Sequence, residues 1–276
     1  MKLFFSKMHG VGNDFVVINN LDNHLTINSD WVKHIANRRT GVGFDQLLVL
    51  ESPKNIAAQF ACRIFNADGS EAGQCGNGAR CMARYVHENG LTNDKSFSLQ
   101  VASRVMHVNI ENYDQISVDM GEPILVPMEI PFNETKQAKQ YVLQCYEKEF
   151  RIMAVSMGNP HAVIKVDEVA QAPVQKFGSM IEKHRDFPEG VNVGFMQIVD
   201  KNTIRLRVFE RGVGETLGCG SGACAAVVGG VLNDYLNDKV DVCLPGGTLK
   251  IEWQGEGQTV KMSGPAVKVY EGYLDV

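Results

Sequence analysis

The feature that most constrains this chain is an internal repeat. Residues 65–79 read F-N-A-D-G-S-E-A-G-Q-C-G-N-G-A, and residues 209–223 read F-E-R-G-V-G-E-T-L-G-C-G-S-G-A. Without a gap, Phe, Glu, Cys, two Gly and Ala coincide. Two further pairs follow the same order: residues 12–18 with 158–164, and residues 43–47 with 194–198. The offsets of 146, 151 and 144 are nearly constant. A spacing this long is not that of a solenoid, which repeats every ~20–50 residues. It predicts a duplicated unit and therefore two similar domains. The expected halves are residues 1–119 with 264–276, and residues 120–263, with turn residues Gly121-Glu122-Pro123 near the junction.

Within each half the local pattern is mostly strand. Short apolar or alternating runs at 15–18, 46–50, 58–65, 97–101, 106–110 and 115–120 predict strands in the first half. Runs at 152–155, 162–166, 193–199, 203–209, 241–244, 249–253 and 260–263 do so in the second. The end of the chain, 265–276, alternates and is expected to return to the first half as a strand. Helices are predicted at 29–37, 78–88, 179–184 and 222–237. The last begins A-C-A-A-V-V-G-G-V-L, apolar on every side, and a helix of that kind is buried on every side. The fold class is α+β: two pseudo-symmetric domains, each a strand-rich, barrel-like sheet wrapped around a central helix.

In both halves a cysteine precedes Gly-x-Gly and a buried helix, so Cys75 and Cys219 fall at helix N-termini. Unsatisfied N–H groups and the helix dipole favour negative charge there. A thiol at that position is expected to ionise below its ordinary value of ~8.5. The N–H groups of Gly76-Asn77 and Gly220-Ser221 are expected to cradle an anion such as a carboxylate. Taken singly, either Cys-Gly-x-Gly is equally a small core residue beside a turn. Duplication changes the weight: two related domains are expected to present two thiols to one anion site across a pseudo-two-fold cleft. Inverting a stereocentre needs that chemistry, a base on one face and an acid on the other, and two like groups in opposite protonation states serve both directions. No metal or pyridoxal is strictly required.

Composition removes several other classes. The chain of 276 residues carries a formal charge of −5 and a pI near 5.8, with basic residues scattered. No nucleic-acid footprint is present. Arg38-Arg39, the one adjacent basic pair, is expected on a solvated helix end. No stretch approaches a membrane span or a signal peptide, so a soluble cytoplasmic protein without a membrane partner is expected. Seven cysteines without C-x-x-C argue against a disulfide framework. Cys62, Cys81, Cys145, Cys224 and Cys243 read as core residues. A metal- or redox-binding module on Cys75/Cys81 and Cys219/Cys224 fits poorly, because zinc ligands usually stand at C-x₂₋₄-C spacing.

The motifs together are more specific. H-G-V-G-N-D-F near the start, N-A-D-G-S-E with Q-C-G-N-G-A-R-C, G-N-P-H, E-R-G-V-G-E-T and C-G-S-G-A run in order along the whole chain. In this the chain resembles the diaminopimelate epimerase family. The resemblance implies cofactor-independent interconversion of LL- and meso-diaminopimelate, in lysine and cell-wall precursor biosynthesis. It implies that Cys75 and Cys219 are the catalytic thiols, supported by His161 and Glu210. Asn13, Gln46, Asn66, Asn159 and Asn192 match the family's substrate-contacting amides, with Glu210 beside them. Gly76, Asn77, Gly220 and Ser221 match its anion holders. Arg211 resembles the side chain that pairs with a distal carboxylate, and Tyr270 lies where the family has a tyrosine at a homodimer contact. Two other enzymes on this fold stand as alternatives, a proline-racemase-like racemase and a phenazine-biosynthesis-type isomerase. Arg211 and the many amides suit a longer, doubly charged substrate than the racemase takes, and the paired thiols disfavour the isomerase.

Overall fold

The computed structural model describes residues 2–73, 75–145 and 147–275; Gln74, which precedes Cys75 in the first motif, lies outside them. The described residues up to Asp119, with those from Ser263 onward, form one compact unit, and Met120–Met262 form a second. The strands of the first are β1 (Lys2–Gly10), β2 (Asn13–Asn19), β3 (Gln46–Glu51), β4 (Phe60–Asn66), β5 (Glu71–Ala72), β6 (Ser96–Val101), β7 (Arg104–Asn112) and β8 (Gln115–Asp119), with helices α1 (Ser29–Ala36) and α2 (Gly76–Glu88). There follow β9 (Tyr141–Cys145), β10 (Lys148–Ser156), β11 (Pro160–Lys165), β12 (Asn192–Asp200), β13 (Thr203–Glu210), β14 (Gly214–Thr216), β15 (Lys239–Leu244), β16 (Gly247–Glu252) and β17 (Lys261–Gly264), with α3 (Val174–Glu182) and α4 (Gly220–Leu232). The last strand, β18 (Val267–Asp275), pairs with β1.

The pairing repeats strand for strand. In the first unit β1 runs antiparallel to β2, β2 parallel to β3, β3 antiparallel to β4, β4 parallel to β6 and β6 antiparallel to β7. In the second, β10, β11, β12, β13, β15 and β16 take the same places in the same senses. β9 flanks β10 as β18 flanks β1, one strand entering from before the repeat and the other from the chain's end.

Register corrects one expected match. Phe15 and Gln46 are partners across β2–β3, as His161 and Asn192 are across β11–β12. Gln46 is therefore equivalent to Asn192 at the same 146-residue offset as the preceding strand, not to Gln197 at 151. The likeness of residues 43–47 to 194–198 is a coincidence of composition.

Each sheet is covered on both faces, which is why its central parallel strands read as unbroken apolar runs. Side chains alternate along a strand. Leu47 and Val49 of β3 join Val32 and Ile35 of α1 in one cluster, while Leu48 between them approaches α2, where a Cβ on Gly78 would lie 3.0 Å from Leu48 Cδ2. In the second unit Val193 and Phe195 of β12 pack with Val174 and Ile181 of α3. Helices α2 and α4 take the inner faces. α2 touches β1, β2, β3, β7 and β8, and α4 touches β10, β11, β12, β13 and β16. Each fully buried Leu, Val, Ile or Phe contributes about 1.5–3 kcal/mol. That burial, not helix propensity, makes α4, whose four glycines (220, 222, 229, 230) each cost about 1 kcal/mol against alanine. They are there for room: a Cβ on Gly229 would sit 3.0 Å from Met153 Cβ.

Several boundaries differ from expectation. α4 stops at Leu232 rather than running to 237, because the Asn233 side chain bonds back to the Gly229 carbonyl (2.8 Å) and Asp234 takes φ +59°. α3 begins at Val174, ahead of the expected 179. Its internal Gly178 disguises it in sequence, and that glycine admits Phe209, whose Cβ would be 2.5 Å from an added Cβ. β1 was not expected at all, and the C-terminal strand is present as β18. No helix among the described residues is long and apolar enough to cross a membrane.

Candidate active site

Cys75 and Cys219 occupy the same structural position. Each is the N-cap residue of a 13-residue helix, extended at φ −155°, ψ 105° and φ −107°, ψ 107° respectively. Four further positions coincide by register and helix position: Asn13 with Asn159, Gln46 with Asn192, Asn66 with Glu210, and Asn77 with Ser221. The residues singled out in the sequence thus form two equivalent clusters, one at the mouth of each inner helix.

At the first mouth the Gly78 N–H donates to Cys75 Sγ at 3.3 Å. The same sulfur lies 3.7 Å from Asn13 Oδ1, which also accepts from Asn77 Nδ2 at 3.5 Å. Asn13 is held from its other end, Nδ2 donating to Asp45 Oδ2 at 3.0 Å. Gln46 Nε2 donates to Asn66 Oδ1 at 2.9 Å across the β3–β4 ladder, and Asn66 Nδ2 donates to Ser70 Oγ at 3.0 Å. Gln46 Oε1 is buried and has no hydrogen-bond partner among the described residues.

Asp45 belongs to a charge network that the sequence does not announce. Arg38 donates to both oxygens of Asp14 (2.7 and 3.0 Å) and to Asp45 Oδ1 (2.8 Å). Lys7 donates to Asp14 Oδ2 at 2.5 Å and also to the Gly43 carbonyl. Burial pushes the Asp14 carboxyl up, but hydrogen bonds from Arg38 and Lys7 outweigh it and hold it at about 2. Arg38, expected merely on a solvated helix end, is instead part of the frame behind Asn13.

The second mouth has a different character. Cys219 is buried and its thiol donates to Glu210 Oε2 at 3.1 Å, with Ser221 Oγ at 3.7 Å. Glu210 Oε1 accepts from Thr216 Oγ1 at 2.5 Å. Burial first, and the Glu210 carboxylate second, push the Cys219 thiol well above its ordinary value. This reverses the expectation of a lowered value: the helix mouth favours the thiolate, but desolvation and an adjacent anion disfavour it more strongly.

His161 Nε2 is 3.1 Å from Asn159 Oδ1, and Asn159 Nδ2 donates to Ser221 Oγ at 3.3 Å. Burial, reinforced by the Arg211 charge, lowers the imidazole to about 3, so His161 is neutral and donates Nε2–H to the amide oxygen. Asn192 serves the backbone at both ends, donating to the Pro160 carbonyl (2.9 Å) and accepting the Arg211 N–H (3.0 Å). The Arg211 side chain is exposed, tethered by one hydrogen bond from Nη1 to the Glu189 carbonyl (2.7 Å). Among the described residues no group of three or more His, Cys, Asp or Glu stands close enough to hold a metal ion. Tyr270, on β18 opposite Lys7, is half exposed and meets the Phe5 ring edge-on at 6.0 Å.

A family model described as diaminopimelate epimerase matches residues 5–126 and 153–269. The chain belongs to the diaminopimelate epimerase family. It is accordingly an isomerase of that superfamily, acting on a small-molecule amino-acid substrate. Solved structures of the same fold include a hydroxyproline epimerase from Agrobacterium vitis with bound trans-4-hydroxy-L-proline (15% identity, TM-score 0.73, 99% of this chain and 92% of that one). A probable proline racemase from Agrobacterium radiobacter K84 is similar (14%, TM-score 0.73, 99% and 93%). So is a phenazine biosynthesis protein of the PhzF family from Bacillus anthracis (15%, TM-score 0.69, 100% of both chains). At these identities the likeness is one of fold.

The state of His161 has a measurable consequence. The unfolded chain binds a proton there below about pH 6.5, whereas the folded site does so only near 3. Stability associated with the neutral ring is complete above pH 6.5 and is lost as pH falls toward 3. Urea unfolding at pH 7 and pH 5 is expected to show a smaller acid loss in His161→Gln than in the parent; equal losses would contradict a neutral His161.

Proposed function

We propose that this protein interconverts LL- and meso-diaminopimelate by a two-thiol route, with Cys75 and Cys219 as the acid–base pair. The observation that carries the reading is the pair of equivalent helix-mouth cysteines with opposite hydrogen-bonding roles. Cys75 Sγ accepts an N–H, and Cys219 Sγ donates to a carboxylate. Inversion needs that opposition: an ionised thiol removes the α-proton while a protonated one delivers a proton to the other face. Glu210 supports Cys219 as the protonated partner, and neutral His161 orients Asn159 and Ser221 beside it. The route makes no use of a cofactor.

Substrate binding follows from the same clusters. The N–H groups of Gly76-Asn77 and Gly220-Ser221 are assigned to the reacting carboxylate, where they oppose the charge that builds up as the α-proton leaves. Asn13, Asn66 and Asn159 are assigned to the polar groups around the α-carbon. The unpartnered Gln46 Oε1 is an acceptor suited to an ammonium group. Asn192 fixes the backbone of Arg211 and leaves one amide hydrogen for the substrate. The exposed guanidinium of Arg211 suits a second, distal carboxylate, which a proline-type substrate does not have.

Solvent deuterium is expected to enter the α-carbon of LL-diaminopimelate with no cofactor added. Cys75→Ser and Cys219→Ser are each expected to lose about 10³-fold or more in epimerisation rate. Full activity in either variant ends the two-thiol mechanism. Arg211→Met removes a charge-assisted contact and is expected to raise KM for diaminopimelate about 10- to 100-fold; an unchanged KM rejects the distal-carboxylate assignment.

The assembly assigned to it is a homodimer. Phe4, Val269, Tyr270 and Tyr273 expose apolar surface on the paired strands β1 and β18. Gel filtration is expected to place the parent at twice its chain mass and Tyr270→Asp nearer the monomer; a monomeric parent ends that assignment.

A further inference from the structure

The two inner helices differ at one buried position in a way that backbone equivalence does not require. Five residues after each N-cap stands Arg80 in α2 and Cys224 in α4, and both are 0% exposed. One half thus buries a permanent cation where the other buries a neutral thiol. A buried guanidinium is costly unless it is well bonded, so its presence asks for a reason.

Its contacts point toward Cys75. Helical side chains lean toward the N-terminus, and Arg80 Nη2 donates to Asn77 Oδ1, one turn back, at 2.8 Å. Nε donates to the Pro265 carbonyl at 3.3 Å. Both acceptors are neutral, so these bonds hold the guanidinium without cancelling its charge. Asn77, fixed by its oxygen, turns its Nδ2 to Asn13 Oδ1, the atom that stands 3.7 Å from Cys75 Sγ. Gly10 leaves the space: a Cβ there would lie 3.1 Å from Arg80 Nη2 and 3.3 Å from Asn77 Cβ.

From this we infer that Arg80 is a positioning residue whose buried charge and grip on Asn77 make Cys75 the thiolate of the resting enzyme. The inference deepens the two-thiol reading and rests on it. Asn66 and Glu210 complete the contrast at the other pair of equivalent positions. An amide stands in the first half and an anion in the second, so the first mouth carries an added cation and the second an added carboxylate. The other charged and titratable groups do not undo this. Cys62 from β4 and Cys81 from α2 also face Cys75, but burial pushes Cys81 up to about 12 and Cys62 higher, so both stay neutral. Asp14 and Asp45, behind Asn13, are paired with Arg38 and, for Asp14, also Lys7.

The test is a thiol titration without substrate, in a Cys219→Ala background, reading iodoacetamide alkylation of Cys75 against pH by mass spectrometry. Half-exposed Cys243 serves as an internal control. The Cys75 midpoint is expected below the ordinary thiol value of ~8.5. Arg80→Met is expected to raise it by about one unit, a tenfold change in the ionisation constant, while Cys243 stays put. Arg80→Lys, which keeps the charge and loses the fork, is expected to retain most of the shift. A midpoint at or above 8.5 with Arg80 present overturns the inference, whatever the variants do. So does an unchanged midpoint in folded Arg80→Met, or a lysine variant that behaves like the methionine one. Because no diaminopimelate is involved, a failed substrate assignment leaves this measurement standing, and deuterium exchange tests that assignment separately.

Discussion

A helix enclosed on every side must leave its first N–H groups somewhere, and the rest of this structure depends on how that need is met. Helices α2 and α4 line the inner faces of their sheets, so the donors of their first turns cannot all be left to bulk water. In each case a cysteine occupies the cap, and the glycines that follow leave the backbone open to close approach. Structural necessity and chemical opportunity coincide at that residue. The unsatisfied donors that make a buried helix end expensive are the same donors that hold a carboxylate and a developing negative charge.

Duplication supplies two such ends with matched surroundings, and the surroundings then diverge. Asn13 and Asn159, Gln46 and Asn192, and the two caps keep comparable chemistry. Asn66 against Glu210, and Arg80 against Cys224, do not. The second half places a carboxylate against its thiol and drives the ionisation upward, overriding the helix end. The first half has an amide in that place and a cation one turn inside. Catalysis by two like groups requires unlike protonation states, so a perfectly symmetric duplicate would be a poor catalyst of inversion.

How much of this is legible in the sequence varies with the kind of interaction. The inner helix α4 and the doubly covered strands β2, β3 and β12 can be read because burial on both faces removes polar residues altogether. The two thiols can be read because the motif around them recurs. β1 cannot be read from its hydrophobic pattern: it buries Ser6 and Lys7, and Lys7 is tolerated only because Asp14 and the Gly43 carbonyl receive its ammonium. α3 is misplaced in sequence because Gly178 looks like a breaker until Phe209 is seen against it. Arg38 and Arg80 both look like surface arginines; their partners lie on other strands and loops, or, for Asn77, are amides whose own roles depend on the fold.

Register is the remaining lesson, and it bears directly on the chemistry. The sequence likeness of residues 43–47 to 194–198 would make Gln46 the counterpart of Gln197, a residue whose side-chain oxygen accepts from the Val169 N–H at 3.2 Å and has no place at the helix mouth. Hydrogen bonding between the parallel strands makes Asn192 the counterpart instead. A five-residue slip is therefore the difference between an amide that serves a loop and one that fixes the backbone of Arg211. Odd slips also exchange the two faces of a strand, so Val193 and Phe195 could not then pack against α3. The packing of the outer helix thus selects the register, and the register delivers the polar residue at the strand's first position to the mouth of the inner helix.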